Sequence, residues 1–277
     1  MPAGTESRRR HTFVYAALIL CSAVTIGPFI WMFLTSIKTY EETIKIPVQV
    51  FPAAPQFVNY SIVFGKLPFF RLYWNTLIVT VFSIVGQLLV VSLAAYAFAR
   101  LRFPGKNALF LMMLALMMIP GQVFIIPRYR LFVSLGITNT IPALFIPQFF
   151  SVFGVFLMRQ FFQTLPKELD EAAIVDGAGY FRIYWHIMIP LSTAGLVSLA
   201  IVTMLSAWKE LMWPIIVNRS MDRMTLSAGL SMLIGEHTTY YEQVMAGATI
   251  SVMPMIVMFI FFQKQFVTGI AKTGIKA

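Results

Sequence analysis

The sequence predicts an all-α integral membrane protein with six transmembrane helices and a cytoplasmic helix-turn-helix segment between helices four and five. Three observations lead there. Of 277 residues, 58% are apolar and only 12% charged, about half the charge of a soluble domain. Six stretches of 21 to 28 residues contain no Asp, Glu, Lys or Arg: Thr12 to Ile37, Leu72 to Ala99, Asn107 to Pro127, Leu131 to Met158, Ile183 to Trp208 and Gln243 to Gln263. Between the fourth and fifth lies a polar segment with the charge and turn pattern of two short helices.

Each stretch reaches the roughly 20 residues, at about 1.5 Å rise, that a helix needs to cross a hydrocarbon core about 30 Å thick. A membrane barrel would need alternation over about 10 residues. Leu111 to Met118 is apolar at every position instead, which excludes one. The first stretch follows Arg8-Arg9-Arg10, as in a signal sequence, but it is too long for a signal h-region and is expected to remain as an uncleaved helix. Cys21, the one cysteine, lies inside it and reads as a small apolar residue.

The connection from Lys38 to Arg71 carries Pro47, Pro52, Pro55 and Pro68, and is expected as an external loop of short extended pieces and turns. Later helices are interrupted by Pro120-Gly121, Pro142, Pro147, Pro214 and Pro254, with Pro28 in the first. Broken helices are tolerated where neighbours or a wet cavity satisfy the freed backbone. An N-terminus on the cytoplasmic side places twelve Lys and Arg inside and eight outside, in accord with the positive-inside rule. Both termini are then cytoplasmic. Residues 1–11 form an N-terminal segment, 12–266 one transmembrane domain and 267–277 a C-terminal tail. The basic excess of +10 sits at helix ends, not in a stripe with exposed aromatics, so nucleic acid is not an expected partner.

The segment from Gln163 to Pro190 is too patterned for an idle loop. Pro166 suits a first helical position, and Glu168, Asp170 and Glu171 complement the helix dipole behind it. A short helix is expected to run to about Asp176. Gly177 can take the positive φ that ends it, and a second helical stretch follows until Pro190. Tyr180, Phe181, Tyr184, Ile187 and Met188 share one apolar face of that stretch. Its cover is either the membrane interface or a groove on a partner. The small Ala172 and Ala173 favour close approach of another surface.

Glu171-Ala172-Ala173, three residues, Gly177, nine residues, Ile187, one residue, Ile189 and Pro190 resemble the EAA motif of bacterial ABC importer permeases. Ile189 stands where that pattern usually has Leu. The resemblance extends over almost the whole chain, toward carbohydrate-uptake permeases similar to the second membrane subunit of the maltose transporter. Trp31 to Lys38 resembles that group's end of helix one, and Ile119 to Arg128 with Leu135 to Thr140 its third helix and following turn. Phe262 to Ile270 with Gly274 to Lys276 resembles its C-terminus.

The resemblance implies that the knob docks on a separate cytoplasmic ATPase through Glu171, Ala172, Ala173, Asp176, Gly177, Tyr180, Ile187 and Pro190. It also implies tail contacts to that ATPase through Gly269, Gly274 and Lys276. Partners would be a second permease, two ATPase copies, an extracytoplasmic solute-binding protein and the bacterial inner membrane. The cargo would be a carbohydrate: a sugar, an oligosaccharide or a glycerol phosphate.

No catalytic constellation is present. There is no G-x-x-x-x-G-K-[ST], and Ala271 occupies its second glycine position before Lys272-Thr273, so the chain has no phosphate-binding loop. ATP and Mg would be bound by the partner ATPase, leaving this chain without a cofactor. His11, His186 and His237 lack metal-ligand spacing. Lys209 and Glu210 interrupt the fifth apolar segment beside Trp208, at about 2.5 to 3.5 kcal/mol each at a membrane centre. They either pair with neighbouring helices or the partner permease, or line the solute path with Trp208, Gln148 and Ser151. Related permeases often carry Asn where Lys209 stands, and a lysine there would suit an anionic or hydroxyl-rich solute. The rival readings are a self-sufficient secondary transporter or channel, a membrane enzyme, and an ABC permease for another solute class.

Overall fold

The computed structural model describes the backbone of residues 3–235 and 238–274, with side chains over 14–235, 238–260 and 263. It is helical, with no strand among the described residues. In chain order the helices are α1 (Ala3–Ser36), α2 (Tyr40–Ile44), α3 (Val58–Lys66), α4 (Phe69–Arg100), α5 (Lys106–Ala115), α6 (Ile125–Ser134), α7 (Pro142–Phe145) and α8 (Val152–Thr164). They continue as α9 (Glu168–Val175), α10 (Tyr180–Ile183), α11 (Ile189–Leu191), α12 (Thr193–Lys209), α13 (Met212–Val217), α14 (Leu226–Ser231) and α15 (Tyr241–Gly274).

Three unbroken helical stretches are long and apolar enough to cross a membrane: Val14–Ser36, Phe69–Arg100 and Tyr241–Ile260. Three bent pairs make up the rest: Lys106–Met118 with Gly121–Ser134 at 98°, Pro142–Phe149 with Val152–Thr164 at 44°, and Tyr180–Leu191 with Thr193–Lys209 at 79°. Counting each pair as one span gives the expected six. The third and fourth spans nevertheless differ from the apolar runs that predicted them. Ile119 is extended, the conformation that a following proline favours, and the chain turns at Pro120. It then forms α6, which carries Arg128 and Arg130 in mid-helix. Runs bounded by charge therefore misplaced both helices. Pro28 and Pro254 sit inside α1 and α15 without ending them.

The chain divides into two compact units. The first comprises Met1–Leu67 and Leu230–Met255. Here the expected loop after α1 is organised by α2 and α3. Thr39 and Glu42 form a capping box at the start of α2, a T-x-x-E signal that was legible in the sequence. Glu42 also accepts the Ala53 N–H at 2.8 Å. These backbone donors hold its carboxyl below the usual carboxylate range. Asn59 donates to the Ser36 and Lys38 carbonyls at 2.9 and 2.8 Å, which ties α3 to the end of α1.

The second unit comprises Pro68–Gly229 and Ile256–Ala277. Its axis is α4, packed against α8 and α12. One core joins Val91, Ala95, Tyr96, Met158, Phe162, Tyr184 and Leu199, among others, and a second joins Val79, Phe132, Leu144, Trp213 and Val217. Helices approach closely where glycine removes a side chain: a Cβ on Gly195 of α12 would lie 2.6 Å from the Phe161 ring. Gly195→Val is expected to cost about 1–3 kcal/mol by overpacking, read as a lowered thermal midpoint of the detergent-solubilised protein.

Candidate functional site

The polar segment between α8 and α10 folds as a projecting knob. Helix α9 starts at Glu168, two residues past Pro166, with three carboxylates in its first turn. At its end Gly177 takes φ +77°. The Ala178 N–H bonds the Ala173 carbonyl at 2.9 Å and the Gly177 N–H bonds that of Ile174 at 3.0 Å. This 6→1 and 5→2 pair is a Schellman cap. The backbone then runs through Gly179, extended at the start of α10. Pro190 cannot donate to the carbonyl four residues back. The turn before it widens to a π-helix over Tyr184–Met188, closed by the Ile189 N–H on the Tyr184 carbonyl.

The face shared by Tyr180, Phe181, Tyr184, Ile187 and Met188 divides in two. Tyr184 and Met188 are buried and Ile187 is half-buried, packed with Ile183 against the α4–α8–α12 core. Their cover is neither lipid nor a partner but the chain itself. Tyr180 and Phe181 are exposed at 61% and 66%. The motif positions divide similarly. Ala173 packs inward, whereas Glu171, Ala172, Asp176, Gly177 and Pro190 are exposed. The outward surface of the knob therefore gathers Ala172, Val175, Asp176, Gly177 and Phe181.

Residues on α4 that sequence reasoning missed hold the knob in place. Ser92 and Tyr184 share a hydroxyl hydrogen bond of 2.7 Å, and the Tyr96 hydroxyl donates to the Tyr180 carbonyl at 3.1 Å. Arg100, whose side chain is 6% exposed, lies 3.4 Å from the Asp170 carboxylate and donates to the Leu165 carbonyl at 2.7 Å. Burial pushes the Asp170 carboxyl up from its ordinary value; Arg100 opposes this and Glu171 adds to it. No periodicity links α4 to a segment 70 to 92 residues later, so these partners carried no local signal.

Among the expected path residues, Gln148, Ser151 and Glu210 come together. With Gln87, Thr203 and Ser206 they line a cavity of about 250 Å³. Ser151 caps α8 by accepting the Gly154 N–H at 3.0 Å. Thr203 donates to the Gln87 side chain. Lys209 and Glu210 stand at a helix break instead of within a span: α12 ends at Lys209, and the Glu210 carboxylate accepts the Trp213 N–H at 3.1 Å. Lys209 is exposed and does not line the cavity, and Trp208 is buried beside it. In the tail, Gly269 and Gly274 fall in the last turns of α15, described by backbone alone, and Lys276 lies outside the described residues.

Comparison with known proteins gives a consistent picture. The family described as binding-protein-dependent transport system inner membrane component matches residues 88–272, which include the knob. The arabinooligosaccharides transport system permease protein AraQ of Bacillus subtilis is 31% identical over 261 residues, 93% of each chain. The sn-glycerol-3-phosphate transport system permease protein UgpE of Salmonella typhi is 32% identical, over 96% of this chain and 98% of its own. A chain of a bacterial ABC transporter involved in the import of the acidic polysaccharide alginate has the same fold. Its TM-score is 0.78 at 24% identity, covering 95% of this chain and 99% of that one.

Proposed function

Because the chain belongs to the family of binding-protein-dependent transport system inner membrane components, we propose that it is the membrane-spanning permease subunit of a bacterial ABC importer for a carbohydrate. It acts with a second permease, two copies of a cytoplasmic ATPase and an extracytoplasmic solute-binding protein. Residues 12–266 form the transmembrane domain, and the flanking segments 1–11 and 267–277 are cytoplasmic. The observation that carries this reading is the knob. Its outer surface is exposed, its turn is set by Gly177, and its root is locked to α4. Such a lever passes closure of an ATPase dimer to α4, α8 and α12 as a rigid movement, which biases the path between inward and outward access. The chain performs no covalent step; ATP and Mg are held by the ATPase. An Ala172→Cys knob cross-linked to a cysteine on the ATPase surface tests it. ATP-dependent uptake should require that ATPase, and uptake persisting after its deletion would refute the reading.

The relatives divide between oligosaccharide and glycerol phosphate systems. The cavity favours the neutral class, since it presents the Glu210 carboxylate beside amide and hydroxyl groups, with no Lys or Arg among its described lining residues. A half-buried carboxylate accepts hydrogen bonds from sugar hydroxyls and repels an anion. Glu210→Gln keeps the acceptor for Trp213 and is expected to lower uptake of a neutral sugar about 10-fold, with no loss for an anionic one. Lys209→Asn is expected to leave the preference unchanged. Both are read by competition between labelled solutes.

A further inference from the structure

We propose that a second cavity, beneath the knob, binds a phosphate group, carried by an anionic membrane lipid or free in solution. This cavity of about 410 Å³ lies between the end of α4, the start of α5 and the start of α9. Its charged lining is Arg100, Arg102, Lys106 and Lys167 against Asp170 and Glu171. Arg100 and Asp170 face each other at 3.4 Å and largely cancel. Arg102, Lys106 and Lys167 then stand against the single carboxylate of Glu171, and the cavity keeps an excess of positive charge.

The donors are only partly used. Lys106 Nζ spends one bond on the Leu101 carbonyl at 2.8 Å and a long one on that of Ala99 at 3.4 Å. Arg100 Nε, which faces Asp170 at 3.4 Å, and Asp170 Oδ1 are both buried without a hydrogen-bond partner. Arg102 and Lys106 also line an adjoining cavity of about 380 Å³ that reaches the first residues of α5. There Gly105 has a left-handed backbone and no side chain caps the helix, and uncapped N–H groups at a helix start suit an anion. Three cations on two chain segments, beside an uncapped helix start, supply the charge and donors that hold a phosphate.

The lipid form of the ligand has a place for its tails. Helix α5 runs away from Lys106 with Leu109, Leu111 and Met112 exposed at 48%, 65% and 60%, so acyl chains can lie along it while the headgroup sits among the cations. A phosphate bridging Arg102 and Lys106 to Lys167 would fasten the start of α9 to the loop after α4. Its effect on uptake rests on the lever reading above; the binding itself does not.

The test uses the full-length protein purified with its co-purifying subunits, delipidated, and titrated in native mass spectrometry with phosphatidylglycerol, phosphatidylcholine or inorganic phosphate. Arg102→Gln/Lys167→Gln removes two cations and leaves the Lys106 turn intact. Wild type is expected to hold phosphatidylglycerol about 10-fold more tightly than phosphatidylcholine, and the double variant to lose about 25-fold in affinity. Arg102→Lys/Lys167→Arg should restore most of it. Saturation by inorganic phosphate alone, abolished in the double variant, would identify a soluble source for the same site. Equal affinity for the two lipids with no phosphate binding, or unchanged phosphatidylglycerol affinity in the double variant, overturns the proposal.

Discussion

Gly177→Asp is expected to reduce solute uptake by about 10-fold or more while the protein still inserts in the membrane at normal levels. The φ of +77° at this position is one that an L residue enters at about 1–2 kcal/mol. A Cβ there would meet nothing within 4 Å, so the chain's own packing is undisturbed. The damage falls on the aim of α10 and on the outward surface. Asp tolerates the left-handed region better than most residues, and its harm comes chiefly from a second carboxylate beside Asp176 on the exposed outer face of the knob. Two companions separate these causes. Gly177→Asn carries no charge and little strain, and should keep most uptake. Gly177→Val carries the strain without charge and should lose most of it. Normal transport by the Asp variant, measured in cells with matched membrane levels, would remove the docking role from the knob.

The second large effect is expected at the root of the lever. Tyr184 is 1% exposed, bonded to Ser92, and its ring lies 5.5 Å from that of Tyr96. Tyr184→Ala leaves a cavity between α4 and the π-turn, and should lower stability by about 3–5 kcal/mol. Thermal unfolding in detergent reads this loss directly. Tyr184→Phe removes only the hydroxyl. Ser92 keeps its bond to the Leu88 carbonyl, so the cost should be about 1 kcal/mol. ATP hydrolysis by the assembled transporter should persist in the Ala variant while uptake falls, because a knob without its seat can move without carrying α4. A midpoint within a degree of wild type would mean that Tyr184 is not part of the anchor.

The legibility of the site differed from residue to residue. The Gly177 stop was legible locally, because a helix stop is encoded within a few residues of itself, whereas Glu171, Ala172 and Ala173 were singled out as motif positions by their resemblance to the EAA pattern. Gln148 and Ser151 were named from the apolar run and do line the cavity with Glu210. Lys209 was given the same weight as Glu210, yet only Glu210 reaches that cavity. Lys209 is the last residue of α12 and Glu210 is already extended, so which of the two faces inward is set by the break after α12.

The sequence by itself determined the helical class, the number of spans and the knob with its glycine stop. Each of these follows from local composition or short-range spacing. The tertiary structure decided where the third and fourth spans bend, because proline ends a helix wherever packing lets the chain turn and charge marks no such point. It also decided what covers the knob's apolar face. Ser92, Tyr96 and Arg100 meet Tyr184, Tyr180 and Asp170 only once α4 lies beside α9 and α10. A contact between residues so distant in the chain is a property of packing geometry, which no local pattern records.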